Sequence, residues 1–251
     1  PGSYLFPQEQ AVPADRVGVP FFWNCNDFNP SVGGITRPVW LVSAAKTAVD
    51  LYGVYVKPER QNDGTWCVKT ETTVRNDTDG TVALRVENTI LDADGNEVAT
   101  AAAGSRAPWR EKRVLHTVMG VNAPALWSPE TPALYTMRTR VFRGEKCVDE
   151  VTDRFGFRTF VTDPENGLFI NGKPYKIKGF CGHESVGLCG RAVPDNLQRY
   201  RVKLMQEMGA NTVRVYITLH DDFYNAFYEY NTAREAAGEE PLWLIHGVWV
   251  N

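Results

Sequence analysis

The pattern of the chain changes near Asp163, and this change limits the folds that it can adopt. Residues 50–157 carry short runs of alternating polar and apolar residues, evenly spaced and separated by turn signals. Beyond Asp163 longer amphipathic segments join the runs, so that strand, helix, strand, helix and strand follow in order. Antiparallel strands can be joined by tight turns, whereas parallel strands need long crossovers. The sequence therefore predicts an all-β unit followed by an α/β unit.

The pattern of residues 50–157 indicates a sandwich of two sheets. Examples of the β-type runs are Leu51–Val56, Thr65–Arg75, Thr81–Ile90, Val114–Val118, Leu134–Phe142 and Val148–Arg158. About seven strands over about 100 residues are typical of an immunoglobulin-like β-sandwich. Asp79-Gly80 and Asp94-Gly95 are predicted to form hairpin turns, because Asp-Gly favours the positive φ angles of such turns.

Residues 1–49 contain too little to form a domain alone. Val19–Trp23 and Ile35–Val42 are two short β-type runs separated by a loop rich in Asn, Asp, Pro and Gly. Two strands cannot bury a useful core, so they need a partner sheet. We expect this segment to be the incomplete end of another β-domain.

The α/β unit begins with a predicted hairpin. Asn171-Gly172 is a tight turn signal between the strands Leu168–Ile170 and Tyr175–Phe180. Two later runs, Thr212–Ile217 and Leu242–Val250, have the character of buried strands. Connections of the length found here predict that these strands run parallel.

Two helices are predicted between these strands. Asp195 is the predicted N-cap of the first helix, in a capping-box arrangement with Gln198. Asp221 or Asp222 is the predicted cap of the second helix, and Gly238 follows its end. The predicted buried faces are Leu197, Tyr200, Leu204 and Met208 in the first helix, and Phe223, Phe227 and Tyr230 in the second.

Composition narrows the classes of partner. The net charge of −3 gives no electrostatic argument for a nucleic-acid partner. No run reaches 18 apolar residues, so we expect no membrane span. The five cysteines are scattered, which predicts free thiols. No metal site is expected, since the spacing of His183, Glu184 and His220 is not that of metal ligands, and no cofactor is expected either. These features suit a soluble protein of the cytoplasm, the periplasm or the exterior, and do not distinguish among them.

Three stretches together resemble glycoside hydrolase family 2. Gly33-Gly34-Ile35 with Arg37 resembles the close of the family's jelly-roll sugar-binding domain. Trp127–Tyr135 with Phe155-Gly156-Phe157-Arg158 resembles the end of its immunoglobulin-like domain. Leu168–Gly179, followed by His183-Glu184, Asn211 and Val213-Arg214, resembles the opening of its catalytic barrel.

The resemblance implies a multidomain protein of β and α/β type. Residues 1–49 would be the end of the jelly roll, 50–157 the immunoglobulin-like β-sandwich, and 158–251 the first three βα units of a (β/α)₈ TIM barrel. The implied activity is that of a retaining β-glycosidase, β-galactosidase-like, with a carbohydrate substrate. The two catalytic glutamates would follow strands four and seven of the barrel, beyond Asn251, so no residue of this chain is expected to be catalytic. Three strands of an open barrel leave a bare edge, and we therefore expect the chain to form homo-oligomers or to be poorly ordered beyond Tyr175.

The resemblance also implies substrate-binding residues at the strand ends, where TIM barrels place their active sites. His183 and Glu184 follow the first barrel strand and match sugar-contacting positions. Arg214 matches an arginine near the nucleophilic carboxylate, where its charge would keep that group ionised. Arg214 alternates with two valines, which independently predicts that its side chain points to the face opposite these apolar neighbours. An arginine that points into a barrel would need a carboxylate partner there.

Two further candidates for sugar contacts are His220 and Trp249. Trp249 lies six residues after Trp243, hence on the same face of the predicted third strand. After this arginine family members often carry a Ser-His-Tyr-Pro stretch, whereas the residues that follow Arg214 here are Val215-Tyr216-Ile217-Thr218. His220 comes three positions after the expected histidine. This departure weakens the carry-over of a galactoside site to that loop.

Structural roles remain open for the same residues. His183 and His220 could simply be loop residues, with Asp221 as the helix cap. Glu184 could support Arg214 or another strand-end group, Arg214 could belong to a structural ion pair, and His246 is predicted to be a core histidine. The segment could also be a non-catalytic β-sandwich module for carbohydrate binding or domain assembly. No G-x-G-x-x-G or P-loop sequence follows a strand, so nucleotide chemistry is not expected.

Overall fold

The computed structural model describes residues 39, 41–183, 186, 189, 193–216 and 218–247. The predicted run Val19–Trp23 and most of Ile35–Val42 lie outside the described residues. Within the described part the chain forms two antiparallel sheets that face each other, a small antiparallel sheet, and a parallel sheet with two helices.

The sandwich contains the first seven strands. They are β1 Thr47–Arg60, β2 Trp66–Asn76, β3 Val82–Leu91, β4 Glu97–Ala107, β5 Lys112–Val121, β6 Tyr135–Arg143 and β7 Lys146–Phe155. One sheet has the order β1-β2-β5, the other β4-β3-β6-β7, and all pairs are antiparallel. Side chains alternate between buried and exposed along β2 and β6, as two packed sheets require.

The core of the sandwich consists mainly of apolar side chains, with a few buried polar groups among them. Trp66 and Tyr135 pack edge-to-face against the fully buried Phe157, with ring centres 5.4 and 4.9 Å away. The buried Asn88 joins the two sheets, because its amide donates to Thr117 Oγ1 at 2.9 Å and accepts from Thr139 Oγ1 at 2.7 Å. A buried amide is tolerated only when it is bonded in this way.

One detail of the sandwich differs from the sequence-based expectation. Asp79-Gly80 does not form a hairpin, because β2 and β3 belong to different sheets and this turn crosses between them. Asp94-Gly95 does connect the paired strands β3 and β4, and Gly95 has φ +84°. The Ala- and Gly-rich strand β4 has a low strand propensity, yet it pairs along its length with β3, as the hairpin predicted at Asp94-Gly95 requires.

A small three-stranded sheet follows the sandwich: β8 Phe160–Asp163, β9 Gly167–Ile170 and β10 Lys173–Tyr175, in the order β10-β9-β8. Asn171 and Gly172 both have positive φ, 51° and 78°, so the predicted hairpin turn is confirmed. The predicted strand Tyr175–Phe180 is wrong. Tyr175 ends β10, residues 176–178 form no strand, and Gly179 and Phe180 begin the next sheet.

The C-terminal unit consists of β11 Gly179–Gly182, α1 Asp195–Glu207, β12 Thr212–Val215, α2 Asp221–Ala236 and β13 Trp243–His246. The three strands are parallel, as predicted, in the order β11-β12-β13. Ile217 and residues 248–250 of the predicted runs lie outside the described residues. Valines of β12 and phenylalanines of α2 form one buried cluster with residues of α1. Within the described residues, no helix is both long and apolar enough to span a membrane.

The first helix corrects two expectations. Its N-cap is Pro194, and no side chain caps it, so the predicted capping box is absent from these described residues. Gln198 is turned inward and buried, where it accepts a hydrogen bond from Arg201. The buried apolar face is formed by Val202 and Met205, whereas Tyr200, Leu204 and Met208 of the predicted face are 56%, 36% and 75% exposed.

The second helix follows the prediction more closely. Phe223 and Phe227 are buried in the shared cluster, and Gly238 with φ +71° lies just past the helix end. The cap, however, is His220 and neither of the predicted aspartates: its ring nitrogen Nδ1 accepts from the backbone N–H of Asp222.

Candidate functional site

The parallel sheet brings polar side chains together at the carboxyl ends of its strands. Cys181, Arg214 and Ile245 are in register across β11, β12 and β13. Residues in register on parallel strands share one face of the sheet, and the faces alternate along each strand. His183 and Tyr216, two residues further along their strands, therefore extend the same face.

The opposite face is the apolar one. Val213 and Val215 are fully buried beneath α1 and α2, while Arg214 between them is exposed. The alternation predicted for Arg214 is confirmed. Since the helices cover the valine face, Arg214 points to the side that a closed barrel would enclose.

Tyr216 connects the two strand ends. The guanidinium carbon of Arg214 lies 4.7 Å from the centre of the Tyr216 ring, a cation–π distance. The imidazole of His183 stacks on the same ring, with centres 5.1 Å apart and planes 26° apart. Among the described residues Arg214 has no carboxylate partner of the kind that the sequence predicted. Its guanidinium lies over the Tyr216 ring instead.

The Tyr216 hydroxyl has a partner on the neighbouring strand. A hydrogen bond with the Cys181 thiol, reinforced by burial, raises the pKa of Tyr216. A neutral phenol of this kind can act as a hydrogen-bond donor. Cys181 itself is an exposed free thiol.

The loop after β11 is held to the first helix. Arg201 on α1 donates to the backbone carbonyl oxygen of His183 at 2.7 Å, and burial lowers the pKa of Arg201. This bond orients the backbone at His183, so the position of its ring depends on α1 as well as on β11.

His220 occupies a different place from His183 and Arg214. Its Nδ1 atom lies 3.5 Å from the backbone nitrogen and 3.2 Å from a carboxylate oxygen of Asp222, at the start of α2. The structure thus gives His220 a capping role, and its predicted contact with sugar stays a prediction. Glu184 and Trp249, the other two predicted site residues, lie outside the described residues.

His246 is not the core histidine that the sequence predicted. His246 is exposed at the end of β13. It is in register with the buried Val215, so it lies on the helix side of the sheet. Its Nε2 atom is 2.9 Å from the hydroxyl of Tyr224 on α2, and that hydroxyl accepts from the backbone N–H of Leu219 at 3.0 Å. This bond chain fixes the loop after β12 against the third strand.

Tyr216 and Cys181 were missed as site residues by sequence reasoning. The signal that could have found them is the two-residue period: Tyr216 follows Arg214 by two, and Cys181 precedes His183 by two. In the described part of the chain, no three His, Cys, Asp or Glu side chains are grouped as metal ligands would be.

The fold and the site define a class of protein. An immunoglobulin-like sandwich leads into the first parallel strands of a TIM barrel, with polar side chains at their carboxyl ends, which is the arrangement of a multidomain glycoside hydrolase. The family model "Glycosyl hydrolases family 2" matches residues 49–158, and "Glycosyl hydrolases family 2, TIM barrel domain" matches residues 161–230. The chain belongs to glycosyl hydrolase family 2.

Characterised relatives agree with this assignment. The chain is 34% identical over 181 residues to a β-galactosidase of Bacteroides ovatus, covering 72% of this chain and 21% of that protein. It is 30% identical over 198 residues to a β-glucuronidase of Bacteroides fragilis, covering 75% and 28%. A solved β-glycosidase structure from Bacteroides vulgatus matches with a TM-score of 0.62 and 28% identity, over 85% and 26% of the two chains. The chain therefore spans less than a third of the length of these relatives.

Proposed function

We propose that the chain forms the sandwich domain and the first part of the sugar-binding face of a retaining β-glycosidase, with β-galactosides among its candidate substrates. In this proposal 50–157 is the immunoglobulin-like domain and 158–251 opens the catalytic barrel. Residues 1–49 would be the end of a jelly-roll domain, most of which lies outside the described residues. Support comes from the family membership and from relatives that are β-galactosidases and β-glucuronidases.

One observation carries the proposal: the contact of Arg214 and His183 with Tyr216 at the carboxyl ends of β11 and β12. Active sites of TIM barrels form at this edge of the strands. A sugar offers hydroxyl groups and apolar C–H faces. The cluster offers guanidinium and imidazole N–H groups beside an aromatic ring, which is the complementary chemistry.

The reaction assigns limited roles to this chain. A retaining glycosidase uses a carboxylic acid and a carboxylate nucleophile about 5–5.5 Å apart, with a covalent glycosyl-enzyme intermediate. We assign neither carboxylate to these residues. Arg214, which pairs with no carboxylate in the described part of the chain, would supply the positive charge that keeps the nucleophile ionised. His183, with Glu184, His220 and Trp249 as further predictions, would contact the sugar.

The test is to express the complete open reading frame that contains this sequence. The hydrolysis of nitrophenyl β-galactoside, β-glucuronide and β-mannoside by the purified protein is then measured. We expect hydrolysis of at least one, and a loss in Arg214→Ala of about a hundredfold or more in kcat/KM. Arg143→Ala is the control, since Arg143 lies exposed at the β6–β7 turn. A protein inert on every β-glycoside, whose residues 50–157 nevertheless bind a glycan saturably, would favour a non-catalytic binding module instead.

A further inference from the structure

We propose that Tyr216 is a positioning residue of the sugar site, which holds the Arg214 guanidinium and the His183 imidazole as one unit. The inference rests on the proposed function and adds a residue that the resemblance does not supply. The family pattern after the arginine is often Ser-His-Tyr-Pro, and this chain departs from that pattern in the stretch that contains Tyr216.

The first step is geometric. Tyr216 comes from β12, directly after the fully buried Val215, whereas His183 comes from β11. The ring is the group that touches both Arg214, at 4.7 Å, and His183, at 5.1 Å. Since one residue on the middle strand contacts both candidate ligand groups, its removal would affect both at once.

The second step concerns freedom of the arginine side chain. Arginine loses considerable rotamer entropy when it is fixed, and a carboxylate partner usually provides the fixation. Among the described residues Arg214 has no carboxylate partner, and its guanidinium packs on the face of the Tyr216 ring. A group that is ordered before the sugar arrives binds the sugar at a lower entropic cost.

The third step concerns what holds the ring itself. The backbone beside it belongs to the buried end of β12, and its hydroxyl lies beside the Cys181 side chain of β11. Both anchors are part of the sheet, so the ring is placed by rigid elements. Rigid support is what keeps site groups within the small tolerance that binding and catalysis require.

The experiment compares Tyr216→Phe and Tyr216→Ala in the whole protein. Phenylalanine keeps the ring and loses only the hydroxyl beside Cys181, so we expect kcat/KM within about threefold of the parent. Alanine removes the contact with both groups, so we expect a loss of about ten- to a hundredfold. Tyr228→Ala is the matched control, since Tyr228 is 73% exposed on α2, and it should leave kcat/KM unchanged.

A double-mutant cycle with Arg214→Ala separates positioning from a general structural effect. If Tyr216 acts through Arg214, adding Tyr216→Ala to Arg214→Ala should cost clearly less than Tyr216→Ala costs alone. Strictly additive losses, or a Tyr216→Ala protein as active as the parent, would overturn the proposal.

A second readout does not depend on activity. In crystal structures of the parent and of Tyr216→Phe, Arg214 should lie over the ring at position 216 in one conformer, and in Tyr216→Ala it should be displaced or multiple. An Arg214 side chain away from the ring in the parent crystal overturns the positioning role. A parent that keeps the contact but hydrolyses no β-glycoside contradicts the proposed function instead.

Discussion

At the residue scale, Asn76 shows how one buried amide ends a strand and starts a crossover. Its side chain is fully buried, and Nδ2 lies within 3.0 Å of three carbonyl oxygens, those of Gly80, Ala107 and Pro108. Its Oδ1 accepts from the backbone N–H of Thr78 at 3.1 Å. An amide supplies both donors and acceptor at this place, so the turn between the two sheets depends on it.

Asn76→Asp should destabilise the sandwich strongly. The substitution replaces an amide NH₂ by a carboxylate oxygen that faces carbonyl oxygens, so donors are lost and a buried charge is added. We expect the free energy of unfolding to fall by about 3 kcal/mol at pH 7, measured by urea denaturation. Asn62→Asp in an exposed turn should change it by less than about 0.5 kcal/mol. Equal stability of the two variants would contradict this account.

Glu87 links two arginines on the outer surface of the larger sheet. It accepts from Arg85 at 2.9 Å and is bonded to Arg140 of the neighbouring strand. Burial alone would raise the pKa of Glu87, but the hydrogen bonds from Arg85 and Arg140 outweigh it and lower the pKa. The folded protein therefore favours the ionised carboxylate.

The stability difference between the parent and Glu87→Gln should depend on pH in a defined direction. A pKa lowered by folding stabilises the protein above the ordinary glutamate value, about 4.3, and this contribution is lost as the pH falls. We expect a deficit of about 1 kcal/mol at pH 7 that shrinks below that value. Urea denaturation across pH measures it, with Glu97→Gln as an exposed control. A deficit that grows on acidification would show that the assigned sign is wrong.

At the element scale, sequence periodicity predicted which elements exist better than it predicted their faces. Alternation is strong in β2 and β6, where every second residue is buried, and both were predicted. Strand β4 shows little apolar alternation, because it is rich in alanine, and the hairpin turn at Asp94-Gly95 was the signal that indicated it. Helix α1 contains two overlapping stripes, and only the position of β12 and α2 decides that Val202 and Met205 face inward. Contacts between distant elements supply that information, and no local window contains it.

The two stripes of α1 can be distinguished by one substitution in each, made in the chain of 251 residues. Val202→Ala removes a fully buried side chain from the shared cluster, whereas Leu204 is 36% exposed. We expect Val202→Ala to lower the local unfolding free energy by about 1–3 kcal/mol and Leu204→Ala by less than about 1 kcal/mol. Hydrogen exchange of the α2 and β12 amides measures both. A larger effect at Leu204 would support the face that the sequence favoured.

The candidate site shows the same limit at the level of strand register. Sequence and resemblance together indicated His183 and Arg214 at strand ends, and the structure places both on one face. The ring that connects them was missed, because its importance arises from the register of β11 against β12. His220 was named from its proximity in sequence, but its bonds are those of a helix cap.

At the scale of the whole molecule, Trp127 joins the sandwich to the barrel segment. Its N–H donates to the carbonyl oxygen of Phe157 in the sandwich core at 2.8 Å, and its carbonyl oxygen accepts from Asn171 of the small sheet at 2.9 Å. Its ring packs edge-to-face on Trp243 of β13, with centres 5.0 Å apart. Gly156 is required beside it, since a Cβ there would lie 2.9 Å from the Cβ of Trp127. One side chain therefore contacts the parallel sheet while its backbone bonds the other two units.

Trp127→Ala should uncouple the parallel sheet from the sandwich. The backbone bonds can persist, but the edge-to-face contact and the burial of two indole rings are lost, at a cost of about 3 kcal/mol. Because that contact lies between units, the loss should appear as faster hydrogen exchange in β12 and β13, with β3 and β6 unchanged. Trp109→Ala, at a site 53% exposed, is the matched control and should alter neither set. Uniform acceleration across both units would mean that Trp127 stabilises the sandwich itself, and unchanged exchange in β13 would mean that the Trp127–Trp243 contact does not couple the two units.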